Sequence, residues 1–109
     1  MSELAQKKCV ACEGFETPFS REEAEVLLKQ VHDWQLTPDA KSISKSFSFK
    51  NFADALTFVN AVGAIAEAEG HHPDIEFGWG RANIHLTTHA IKGLSENDFI
   101  FAAKVDQIS

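Results

Sequence analysis

Cysteine is nearly absent: the 109 residues hold two, Cys9 and Cys12. They form a single CxxC, and no second pair completes the four-ligand set of a structural zinc site. Redox motifs of this spacing open a helix after a buried strand, and neither flanks them here. They read as reduced residues of a tail, with metal binding or an oxidant response as the alternative. Basic residues are also few, ten against sixteen acidic, giving a net charge of −6 and a pI near 5.2. No run of them exceeds Lys7-Lys8, so the counterion-replacing patch of a generic nucleic-acid binder is missing. Long apolar runs are missing too. Nothing approaches the roughly 20 residues of a membrane helix, and Met1 to Lys8 lacks the apolar segment of a signal peptide. The expectations are no nucleic acid, no membrane and a cytoplasmic location. No internal repeat or low-complexity tract occurs.

What remains is an ordinary globular composition, 44% hydrophobic and 24% charged, with nine Phe and two Trp as core material. The length allows one domain. Residues 1–18 lack periodicity and read as an extension, leaving 19–109 as the domain. Ser20 with Glu23 makes a capping box. Ala24, Leu27, Leu28 and Val31 follow at helical spacing, predicting a helix to about Asp33. Residues 42–49 alternate, with Ile43, Lys45, Phe47 and Phe49 on one face and serines on the other. That is a half-buried strand. A short strand at 34–37 pairs with it across the Pro38-Asp39 turn. Asn51 caps and Gly70 ends a long second helix. Its expected core stripe is Phe52, Ala55, Leu56, Val59, Val62, Gly63 and Ala66, with Phe58, Ala61 and Ile65 beside it. A helix this broadly apolar calls for cover on two sides, and another subunit would supply the second. Ile75, Phe77 and Trp79, then Ala82, Ile84 and Leu86, predict a hairpin turning near Gly80-Arg81. A last helix starts at Ser95. The order α-β-β-α-β-β-α gives an α+β domain in two layers, a four-stranded antiparallel sheet with three helices on one face.

Four of the five histidines lie between positions 71 and 89. Histidine titrates near neutrality and both gives and takes protons. In His71-His72-Pro73 the proline stiffens the corner after the long helix. The end of that helix and the end of the fourth strand can meet, bringing His71, His72 and His89 around one pocket. Taken alone, such a turn is also what any loop carries. His32 and His85 read as surface residues. A zinc site is the other sharp reading, but neighbouring histidines rarely reach one ion and no HxH or HExxH is present. Asp98 suits the first turn of the last helix as a cap. Glu67 lies one turn before His71 and is placed to orient it, or is a solvated carboxylate. Trp34 and Trp79 can stack on a flat ring or fill core.

The spacing of these residues is distinctive. Glu67, three residues, His71-His72-Pro73, five residues, Trp79, nine residues, His89, eight residues, Asp98 resembles the signature of pterin-4a-carbinolamine dehydratases. Leu86-Thr87-Thr88-His89, Gly93-Leu94-Ser95, Trp34 and the Phe47-Ser48-Phe49 to Phe52 segment look like that family as well. The resemblance spans about residues 19–108. It implies a homodimer or homotetramer that dehydrates 4a-hydroxytetrahydropterin to quinonoid dihydropterin. This recycles the cofactor of aromatic amino acid hydroxylases, with no metal or organic cofactor. It implies that His71, His72 and His89 are catalytic, with His72 the main acid/base residue. Pro73, Thr88 and Trp34 would bind substrate, with Glu67 and Asp98 behind the histidines. Some members of the family are dimerisation partners of a transcription factor, so a non-catalytic binding module is the alternative.

Overall fold

Local signals and tertiary packing divide the fold between them. In the computed structural model, which describes residues 3–10 and 17–109, the Ser20–Glu23 capping box is formed in both directions. It starts a helix over Arg21–Leu28 (α2), after a single helical turn at Glu3–Gln6 (α1). Two short strands follow, Gln35–Leu36 (β1) and Ile43–Ser48 (β2). Asn51 caps the long helix Phe52–Glu69 (α3) by accepting from the Asp54 N–H. Strands Asp74–Gly78 (β3) and Arg81–Leu86 (β4) form a hairpin whose turn is Trp79-Gly80, with Gly80 at φ 74. A short 3-10 turn, His89–Ile91, leads to the last helix, Glu96–Ile108 (α4).

The sheet is antiparallel throughout, in the order β1-β2-β4-β3. Register pairs Ile43 with Leu86, Lys45 with Ile84 and Phe47 with Ala82, so one face carries the apolar side chains. The helices cover that face: α3 packs on β3 and β4, and α4 packs on α3 and α1. Lys45 points inward and pairs with Asp106, 3.0 Å away on α4. No helix among the described residues is long and apolar enough to cross a membrane.

Three expectations shift. α2 ends at Leu28 rather than near Asp33, because the chain tightens into turns and reverses at Asp33, whose φ is 61. The core stripe of α3 is rotated: Ala55, Phe58, Val62 and Ala66 are buried, while Phe52 and Leu56 are exposed. Phe58 wins the inward position because Phe47 and Phe49 meet it, at ring-centroid distances of 4.5 and 5.1 Å. Thirdly, the amino-terminal residues are not bare chain, for Leu4 and Ala5 are buried in the core. Cys12 lies outside the described residues.

Candidate active site

The site begins where α3 stops. Gly70 takes the left-handed conformation at φ 64, and its N–H donates back to Ala66. A residue with a Cβ resists that geometry, so glycine ends the helix and turns the chain. His71 and His72 then leave the backbone in different directions. His71 turns inward and places Nε2 2.7 Å from Asp98 Oδ1. His72 turns outward, with Nε2 2.6 Å from Glu67 Oε2.

These two pairs differ in setting. The Asp98 side chain is fully buried and that of His71 is 11% exposed. Asp98 Oδ2 also accepts from Thr88 Oγ1 at 2.8 Å and from the Ser95 N–H at 3.0 Å. Thr88 has one hydroxyl hydrogen and gives it to Asp98, so the 2.8 Å contact with Ser95 Oγ is a bond donated by Ser95. A carboxylate only accepts, which puts the His71 proton on Nε2 and leaves Nδ1 as the basic nitrogen. His72 and Glu67 are 61% and 80% exposed, and so form a solvated pair of small energetic weight. Its geometry still aims the His72 ring, again with Nε2 toward the acid. His89 opens the 3-10 turn after β4; its carbonyl accepts from the Lys92 N–H at 3.2 Å, while its ring has no hydrogen-bond partner among the described residues.

His71, His72 and His89 line one cleft of about 240 Å³ together with Val10, Gly70, Thr87, Thr88, Ala90 and Asn97. The dimensions suit a compact flat ligand, since pockets for larger drug-sized molecules run ~300–1,000 Å³. Of the other sequence-predicted residues, Asp98 lies behind His71. Glu67 serves His72 and not His71, because Gly70 ends the helix before the usual one-turn spacing applies. Pro73 joins the histidines to β3 and is not among the residues facing the cleft. The structure does not bring Trp34 there. Its ring is buried in the core edge-on to Phe47, and its N–H donates to Asp106 at 2.9 Å. Trp79 sits on the hairpin turn, 70% exposed. Sequence reasoning missed Val10 and Asn97. Asn97 lies two residues past the Ser95 cap and gives no periodic signal, and Val10 is brought in by long-range packing.

Cys9 lies beside this region. Its N–H donates to Glu69 Oε1 and its Sγ lies 3.6 Å from the Asn97 carbonyl. Burial, and then the Glu69 charge, push its thiol up to about 12.

A family model described as pterin 4 alpha carbinolamine dehydratase matches residues 17–108. A protein of Rubrobacter xylanophilus is 54% identical over 108 residues, which is 99% of this chain and 100% of that one. A second, from Halorhodospira halophila, is 53% identical over 105 residues, 96% of each. Both carry the name pterin-4-alpha-carbinolamine dehydratase, in a form that marks the assignment as provisional. Among solved structures, a transcriptional coactivator/pterin dehydratase of Brucella melitensis superposes with a TM-score of 0.79. Its sequence identity is 29%, over 84% of this chain and 98% of that one. A pterin dehydratase-like protein described as a RuBisCO assembly factor in the alpha-carboxysome gives a TM-score of 0.61 at 32% identity, over 71% and 89% of the two chains. The chain belongs to the pterin-4a-carbinolamine dehydratase family.

Proposed function

We propose that this protein catalyses the dehydration of 4a-hydroxytetrahydropterin to quinonoid dihydropterin by moving protons between histidines. The observation that carries the reading is the convergence of His71, His72 and His89 on one cleft, two of them held through Nε2 by carboxylates. The reaction breaks the N5–H and C4a–O bonds, forms the C4a=N5 double bond and releases water. A base must take the N5 proton while an acid protonates the departing hydroxyl. His72 is the principal proton carrier, since its ring is open to the cleft and to solvent, with which it can re-equilibrate. His71 and His89 bind the ring and supply the second transfer. Thr88 serves from behind, through Asp98. Removing such a group typically lowers a rate by ~10²–10⁴-fold. His72→Ala should therefore cut kcat about a hundredfold in an absorbance assay of carbinolamine decay, with the melting temperature unchanged. Undiminished turnover in that variant would overturn the role of His72.

A second reading, a protein-binding module without catalysis, is favoured by the exposed Phe52, Leu56 and Trp79. The coactivator and assembly roles named for the two structural neighbours point the same way. Pure protein that leaves carbinolamine decay at its spontaneous rate would favour it.

A further inference from the structure

The cleft has a wall that the histidine signature does not contain. Leu4 and Ala5 anchor the amino-terminal segment in the core, and Lys104 Nζ on α4 donates to the Ala5 carbonyl at 2.8 Å. Glu69, at the end of α3, accepts the Cys9 N–H at 2.8 Å. Asn97 then takes hold of Val10 twice. Its Oδ1 accepts the Val10 N–H at 3.0 Å, and its Nδ2 donates to the Val10 carbonyl at 2.7 Å. One side-chain amide matched to both backbone groups of one residue fixes its position and its rotation. Asn97 is itself buried and directly precedes Asp98, so two consecutive residues of α4 hold the strap and His71.

Val10 lines the cleft, yet its side chain is among the large apolar groups left open to water, at 71% exposure. The other described lining residues offer imidazoles, hydroxyls, an amide, the methyl of Ala90 and the bare backbone of Gly70. Among the described lining residues Val10 is the largest aliphatic side chain. A pterin has polar edges and apolar faces. The edges match the histidines and threonines, while a face needs apolar cover, which burial rewards at ~25 cal/mol per Å².

We propose that Val10 is the surface on which one face of the pterin ring packs, and that Asn97 is the positioning residue that holds it there. This rests on the dehydratase reading of the same cleft. Val10 touches no reacting atom, so its effect falls on binding and not on chemistry. Val10→Ser in the full chain should leave the melting temperature and kcat unchanged and raise KM roughly three- to tenfold, the loss of part of one apolar side chain's burial. Asn97→Leu should raise KM similarly by freeing the strap. The double variant should be no worse than Asn97→Leu alone, because a released strap no longer presents Val10. An unchanged KM in Val10→Ser, a loss of kcat in its place, or multiplying effects in the double variant would overturn the proposal. If wild-type protein shows no turnover, the dehydratase reading fails, and equilibrium binding of oxidised biopterin then decides on the strap. Binding weakened severalfold by Val10→Ser sustains it. Equal binding, or none by wild type, overturns it.

Discussion

Asp98 accepts hydrogen bonds from His71, Thr88 and the Ser95 N–H while fully buried. A buried polar group depends on its hydrogen-bond partners, and these three are the side chain's partners among the described residues, which makes each of them matter. In Asp98→Asn one accepting oxygen becomes an NH₂ that must face another donor. A buried group left without its partner costs about 1–3 kcal/mol. For a domain of this size 1 kcal/mol shifts Tm by about 4–8 °C, so the expected fall is roughly 10 °C by calorimetry. An unaltered Tm would mean that the network contributes nothing to the fold. The same variant also removes the acceptor that fixes the His71 tautomer, so kcat should fall along with stability.

At the scale of elements, the geometry of the histidine turn depends on how α3 ends. Gly70 sits at φ 64 with nothing within 4 Å of where a Cβ would stand. Replacement by alanine meets no clash, and only the left-handed backbone opposes it, at about 1–2 kcal/mol. Gly70→Ala should lower Tm by roughly 5–10 °C, with Gly70→Asn between the two because asparagine tolerates this conformation. Thermal melts followed by circular dichroism check the order. A result with alanine equal to glycine would show that the helix end can relax without strain. The first turn of α4 is the complementary element: Ser95, Asn97 and Asp98 each bind a different segment there.

Across the whole molecule, Phe52, Leu56, Trp79 and Ile108 remain exposed. The outer side of α3 carries two of them, and Phe52 stacks on Phe77 with centroids 5.7 Å apart. Apolar groups gathered in this way mark an interface more often than bare surface. A homo-oligomer covering this side of α3 is therefore expected. Sedimentation at micromolar concentration should give a multiple of the 12.0 kDa chain mass. A monomeric mass would leave these side chains without the cover their chemistry calls for. At this scale the pattern of the sequence was legible where it was local. The Ser20 and Asn51 caps, the period-two strands and the Gly80 turn all stand where propensity and periodicity place them. It was less legible where two apolar stripes lay side by side on α3, because rings contributed by β2 chose which one faced inward.

The sequence by itself determined the helices α2, α3 and α4, the four strands, their order and the identity of the three histidines, because caps, turns and alternation are short-range effects and the His71-to-Asp98 spacing is a linear property of the chain; α1 carried no such signal. Only the tertiary structure decided how those histidines are paired. It gave Asp98 to His71 and Glu67 to His72, withdrew Trp34 into the core and laid Val10 along the cleft. Each of these depends on which residues meet across 27 to 87 positions or around a helix end, and such meetings are fixed by burial and hydrogen-bond satisfaction of the whole fold.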